Sequence, residues 1–202
     1  VTGWTILLLG IGLGLRHATD ADHVVVVSAL VQREPGVWRA ARTAALWGLG
    51  HTGAFLGLGL LVVVAGVQLP HAFERGAELL VGTMLVAFGL WHVALSRHER
   101  TAATTRSSYA RPMLIGLVHG LAGSAGIAIL AATTIGSRGW AAAYLALFGL
   151  GTVIGMVALT VMMSRPIGWL MTRDERVRRA TTGVAALLSV ALGVLVLVDG
   201  IG

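Results

Sequence analysis

Residues 12–27, GLGLRHATDADHVVVV, decide how this chain is read. They set Arg16, His17, Asp20, Asp22 and His23 between two strongly apolar runs. A charged side chain at the centre of a bilayer costs roughly 2.5–3.5 kcal/mol on an insertion scale. A cluster this dense must therefore face a ligand, water or its own members. On an ideal straight helix, His17 and His23 lie about 60° either side of Asp20. These three residues then share one face, and Asp22 points about 160° away from it. Asp22 joins the face only if the helix is distorted. The glycines Gly10, Gly12 and Gly14 just ahead of the motif make distortion a reasonable expectation.

Imidazole and carboxylate together suit a divalent transition metal such as nickel, cobalt or zinc. Magnesium or calcium would favour an all-oxygen set. A purely structural alternative pairs Arg16 with Asp20 at the i,i+4 spacing, as an internal counter-ion. That accounts for the charges but not for two histidines on the same face.

The flanks of the motif fix the environment. Of 202 residues, 56% are hydrophobic and only 12% are charged, with a mean hydropathy of +0.83. A soluble domain carries about 25% charged residues. The composition therefore indicates an all-α, multi-pass membrane protein in contact with the lipid bilayer. The net charge is +6 and every basic residue is Arg. The arginines fall in short loops between apolar segments, so no nucleic-acid partner is expected. There is no cysteine, which excludes disulfides and thiolate metal ligation within these residues.

Six segments are long and apolar enough to span: 4–32, 41–67, 76–96, 112–135, 139–164 and 180–200. Each apolar run is long and does not alternate, which favours helices over a barrel. The first lacks a basic leader region and a small-residue cleavage site, and reads as a retained helix. The breaks are QREPG, QLPHAFER, SRHERTAATTRSSYARP, GSRG and SRPIGWLMTRDERVRR. Arginines concentrate in the loops after the first, third and fifth spans; Arg75 and Arg138 alone lie on the other side. The positive-inside rule then puts both termini outside, in a bacterial cytoplasmic (inner) membrane.

The two halves resemble each other. IGLGLRHATDADH recurs weakly near LIGLVHGLAGSAG, pairing His17 with His119. WGLG at 47–50 returns as FGLG at 148–151, and VAFG at 86–89 as VALG at 190–193. We therefore expect one transmembrane domain, 1–202, made of repeats at 1–100 and 108–202. An odd number of spans per half makes this a 3+3 inverted repeat, the plan of many secondary transporters.

His51, among Gly48, Gly50 and Gly53 on the second span, is a third candidate imidazole, and His119 a fourth. His92, Asp199, His71 and His98 sit near span ends or in loops and are expected at the surface. The methionines at 84, 113, 156, 162 and 163 are expected to fill core or face lipid.

RHATDADH resembles the His-x4-Asp-His signature of the nickel/cobalt transporter (NiCoT) family, here His17, Asp22 and His23. LGHTGAF at 49–55 is similar to that family's second motif and falls on the next span. The resemblance implies that His17, Asp22, His23 and His51 select a metal, with Asp20 beside them. It implies movement of nickel or cobalt, linked to urease, hydrogenase or cobalamin pathways, and related members export these metals. Family members commonly have eight spans with the signature on the second. Here there are six, with the signature on the first. VHGLAGSAGIAIL stands where a Gly-Phe-Asp-Thr-like motif is usual, and looks more like the compact urease-accessory membrane proteins related to nickel permeases.

The expected function is transport of a divalent transition-metal ion through an intramembrane site of His17, Asp20, Asp22, His23, His51 and His119. No enzymatic activity and no resident cofactor are expected. Two other readings stay open: a metal-dependent intramembrane hydrolase, and an exporter of small organic or sulfur-containing solutes. A serine protease built on Ser124 in AGSAG lacks a histidine base on the last span.

Overall fold

A computed structural model describes residues 3–34, 36–96, 109–121 and 125–201. The architecture is all-α, with eight helices among the described residues. In chain order they are α1 (Gly3–His17), α2 (Ala21–Arg33), α3 (Val37–Ala65), α4 (His71–Ser96), α5 (Ala110–His119), α6 (Ala125–Thr133), α7 (Arg138–Met171) and α8 (Glu175–Ile201). Three of them, α3, α7 and α8, are each long and apolar enough to cross a membrane alone.

The first and fourth expected spans are therefore not continuous. The first divides at residues 18–20 into α1 and α2, and the fourth divides after His119 into α5 and α6. Polar side chains cause the first break. The Thr19 hydroxyl donates to the Arg16 carbonyl at 2.6 Å, and the amides of Thr19 and Asp20 turn back three residues to Arg16 and His17. Asp20 then takes an extended backbone, φ −61° and ψ 149°. Side chains that bond their own backbone compete with the helical ladder in this way. In the second break, Gly120 bonds back to Gly116 and Leu121 to Val118. The protease candidate Ser124 lies outside the described residues, as do His98, Arg97, Arg100 and Arg106.

Several boundaries move. α3 begins at Val37 rather than 41 and α4 at His71 rather than 76. α7 runs on to Met171, through Pro166, and α8 begins at Glu175 rather than 180. Pro166 removes one ladder bond near the C-terminal end of α7. Beyond it the Arg173 guanidinium lies 3.9 Å over the Trp169 ring, an amphipathic end suited to a membrane–water boundary. The loop after α3 falls as expected: Gly66, at φ +68°, caps the helix with its N–H on Val62 O.

Glycines let the helices touch backbone to backbone. A Cβ on Gly14 would strike the Phe148 carbonyl, and one on Gly151 would strike that of Ile11, so α1 lies directly on α7. A Cβ on Gly116 would strike the Trp47 carbonyl, and one on Gly50 that of Met113, so α5 lies directly on α3. α4 and α8 meet likewise, Gly89 against Ala186 and Gly193 against Gly82. Close approach through small residues is how helices associate where lipid is as apolar as leucine. Buried hydroxyls are spent within the bundle: Ser189 donates to Leu85 O, Thr152 to Phe148 O and Thr160 to Met156 O. Trp47, Leu85, Leu145 and Met156 are fully buried, while Trp4, Trp38, Ile127 and Met162 are among many large apolar side chains facing outward. Such a surface belongs in lipid.

Candidate metal site

The break between α1 and α2 gathers side chains that a straight helix would scatter. His17 ends α1, and His23 stands in the first turn of α2. Both are buried, at 6% and 1% exposure. α3 contributes His51 and α5 contributes His119, the last residue before the second break; both are buried. The His23 ring lies 4.6 Å from that of His17, 4.9 Å from His51 and 5.0 Å from His119, so it sits at the middle of the four.

Two groups with metal-ligand spacing share His23. One is His17, His23 and His51; the other is Asp22, His23 and His119. His17 Nε2 and His51 Nε2 face each other at 3.2 Å. Two nitrogens bound to one ion at about 2.0–2.1 Å in tetrahedral geometry lie about 3.4 Å apart. The observed spacing is close to that of a shared ligand pair. His23 Nε2, His51 Nδ1 and His119 Nδ1 are buried and find no hydrogen-bond partner among the described residues. An unpartnered buried nitrogen is costly in the protein interior. His23 Nε2, on the residue common to both groups, is one that a cation would satisfy.

The two carboxylates have different tasks. Asp20 Oδ2 accepts from His17 Nδ1 at 2.9 Å, which turns His17 Nε2 toward His51. Asp22 Oδ1 accepts from both the His23 backbone and its Nδ1, at 2.9 and 3.0 Å. Asp22 Oδ2 lies 3.1 Å from His119 Nε2. Asp22 is therefore the carboxylate inside the cluster, and Asp20 supports it from behind. A carboxylate on the far nitrogen of a histidine is the usual device for orienting a ligand ring.

Three expectations are corrected. Asp20, His17 and His23 do not form the cluster's shared face; the break brings Asp22 in and leaves Asp20 at its edge. Arg16 is exposed and makes no ion pair with Asp20 among the described residues, because α1 has ended before the i,i+4 spacing is completed. His92 is not at the surface: it is 5% exposed, with Nε2 3.2 Å from Gln32 Oε1. His71 and Asp199 are exposed as expected. So are the roles of the methionines: Met156 is fully buried beside Gly48 and Met162 faces out.

The sequence did not single out Trp47 and Phe148 as walls of the site. Trp47 lies 5.4 Å from the His23 ring and 5.7 Å from that of His119, and Phe148 lies 5.3 Å from that of His17. The signal was present: they open the matched WGLG and FGLG stretches.

A cavity of about 540 Å³ adjoins the cluster. Arg16, His17, Asp20 and Asp22 line its inner end, and Ile127, Ala131, Tyr144, Leu192 and Val196 are among its outer wall. Tyr144 lies toward the Arg138 end of α7, and Leu192 and Val196 toward the Ile201 end of α8.

Fold and site together define a multi-pass membrane protein with a buried imidazole–carboxylate cluster. Residues 24–195 match the family described as the cytochrome c biogenesis protein transmembrane region. The urease accessory protein UreH of Bacillus sp. (strain TB-90) is 31% identical over 94% of this chain and 89% of its own length. The chain belongs to this family of membrane proteins, as a UreH-like member. A 90-residue portion, 43% of the chain, is 33% identical to 26% of the high-affinity nickel transport protein of Cupriavidus necator. The Arabidopsis thaliana chloroplast protein FOR GROWTH AND FERTILITY 1 is 26% identical over 98% of the chain and 59% of its own length. These relatives are named as accessory, transport or growth proteins, and none as an enzyme. No solved structure matches.

Proposed function

We propose that this protein carries a divalent transition-metal ion, nickel first and cobalt second, across a bacterial cytoplasmic membrane through the cluster of His17, Asp22, His23, His51 and His119. One observation carries the reading: four imidazoles and a carboxylate, delivered by α1, α2, α3 and α5, converge inside an apolar bundle with buried ring nitrogens left unpartnered. Neutral imidazole with one carboxylate favours a borderline-soft divalent ion over magnesium or calcium. The relatives named for urease accessory function and nickel transport point the same way, and link the ion to an intracellular nickel enzyme such as urease.

The reading includes a 3+3 inverted repeat, α1–α4 and α5–α8. It is supported by contacts that recur in exchanged form. Gly14 and Gly116 stand 102 residues apart and press on Phe148 and Trp47, which stand 101 apart. Gly50 and Gly151 repeat this on Met113 and Ile11. Broken helices in corresponding positions of two such halves are the pattern expected around a transporter's binding site. By the arginine distribution both termini lie outside, and in this reading the ends of α7 and α8 that line the 540 Å³ cavity are on that side.

Protein reconstituted into vesicles and supplied with radioactive nickel or cobalt tests the proposal. Uptake that is lost in His17→Ala and His23→Ala but kept in the exposed control His71→Ala supports it. Undiminished flux in both variants would sink the site.

A further inference from the structure

The cavity beside the cluster has a counterpart on the opposite side of the protein, and that counterpart is shut. The glycine contacts say which residues correspond: 102 residues apart for α1 and α5, 101 for α3 and α7, and 104 for α4 and α8, where Gly89–Ala186 answers Gly193–Gly82. On this count, Ile127 and Ala131 of the open wall correspond to Val25 and Ala29 of α2. Tyr144 corresponds to Thr43 of α3, and Val196 to His92 of α4. The open wall borders a cavity of about 540 Å³. In the corresponding wall Val25, Ala29 and His92 are buried, at 5%, 2% and 5% exposure, where Ile127 is 75% exposed and Ala131 and Val196 are half-buried; Thr43 and Tyr144 are buried alike.

Polar bonds fasten the closed wall. Gln32 Oε1 meets His92 Nε2 at 3.2 Å and accepts from the Thr182 hydroxyl at 3.2 Å, so one carboxamide ties α2 to α4 and to α8. Beside it the Thr43 hydroxyl donates to Glu34 Oε1 at 2.9 Å, tying α3 to the end of α2. Among the described residues the open wall shows no such tie at the matching place. There Thr134, 102 residues after Gln32, spends its hydroxyl on the Ala131 carbonyl of its own segment. The bonds to the Gln32 carboxamide are of modest strength, so they hold a closed arrangement without making it permanent.

We propose that Gln32, His92 and Thr182 form the gate of a second path, between α2, α3, α4 and α5, by which the ion leaves the cluster. The proposal rests on the transport reading. The ion reaches His17 through the open cavity, and it leaves past Ala29 once α2 parts from α4 and α8. The two walls exchange roles, which is what two inversely related halves around one fixed site permit. His92 and Gln32 are then positioning residues that set which wall is open, rather than ligands.

The chain has no cysteine, so single cysteines report access directly. Full-length protein in right-side-out and inverted vesicles is treated with a membrane-impermeant maleimide. Ala131→Cys is expected to label from one side only. Ala29→Cys is expected to resist labelling from both sides in the otherwise unaltered protein. Adding His92→Ala, or separately Gln32→Ala, is expected to make Ala29→Cys reactive from the side opposite to Ala131→Cys. The rate should rise at least about tenfold, as a minor state becomes common. Thr182→Val, a milder change to the same tie, serves if either variant loses its monodisperse fold. Ala29→Cys that stays unreactive in the folded variants, or that labels from the same side as Ala131→Cys, overturns the gate. Nickel binding is measured on the same samples. Labelling as expected without nickel binding would keep the gate and remove the transport reading, while nickel flux with an inert Ala29→Cys would remove the gate alone.

Discussion

The two breaks in the bundle share a scaffold and differ in chemistry. Around the first, within seven residues, stand His17, Asp20, Asp22 and His23. At the same spacing of 102, the second offers His119, Ala122, Ser124 and Ala125. On the helices that pack against them, α3 carries His51 where α7, 101 residues on, carries Thr152 with its hydroxyl bonded to Phe148 O. The backbone contacts are duplicated and the donor set is not. In the repeat proposed above, both halves keep the interlocking glycines that allow movement, while one half supplies nearly all the ligands and the other only His119. Scaffold and site answer to separate demands, and substitutions should separate them.

The largest effect is expected at His23, the residue common to both ligand groups. His23→Ala should lower nickel affinity, read by titration calorimetry on purified protein, by more than the about 10–100-fold typical of residues that merely orient ligands. His119→Ala, the second half's only imidazole at the cluster, should cost less. Equal losses at the two positions would break the asymmetry. Asp20→Asn comes next. It should weaken binding about 10–100-fold by freeing the His17 ring, with nickel still held by the remaining donors. A variant as inert as His23→Ala would make Asp20 a ligand instead.

The scaffold tests should strike both halves alike. Gly14→Ala and Gly116→Ala each drive a Cβ onto a facing carbonyl, and each should destabilise the protein by about 1–3 kcal/mol or more, read as a lowered melting temperature in detergent. Gly12→Ala and Gly53→Ala meet nothing within 4 Å and should be neutral or stabilising by about 0.5–1 kcal/mol. Acidification should weaken nickel binding, because a proton competes for each ligating nitrogen. The loss should be steeper for the unaltered protein than for His119→Ala, which has one imidazole fewer to protonate. The smallest effect is expected at Arg16, exposed at the cavity. Arg16→Gln should leave melting unchanged and speed nickel uptake a few-fold at low salt, an advantage that fades as salt screens the charge.

Much of this was legible in the residues. Composition placed the chain in a membrane, the dense polar motif marked the candidate site, and the matched WGLG and FGLG stretches suggested two similar halves. His51 stood out by its flanking glycines and the family resemblance, His119 by its pairing with His17, and the geometry brings them to His17 and His23. On Asp20 and Asp22 the two readings of the sequence diverged: 100° arithmetic, which presumes an unbroken helix, favoured Asp20, while the His-x4-Asp-His resemblance pointed to Asp22. Thr19 and Asp20 bond locally and end α1, which resets the phase of α2 and swings Asp22 inward. The distortion expected from the sequence comes after the glycines, at residues 18–20, while Gly10 and Gly14 seat α1 against α7. His92 read as a surface residue because it stands near a span end. Its burial depends on Gln32, 60 residues away, which no local pattern reveals.

The central claim is that one ion is held by imidazoles from both halves. Nickel X-ray absorption on metal-loaded protein in lipid nanodiscs tests it most directly. The account predicts three or more imidazole nitrogens at about 2.0–2.1 Å, the distance taken from other imidazole–metal sites, with one fewer in His119→Ala. A shell of oxygens only, or a spectrum unchanged in both His23→Ala and His119→Ala, would contradict it.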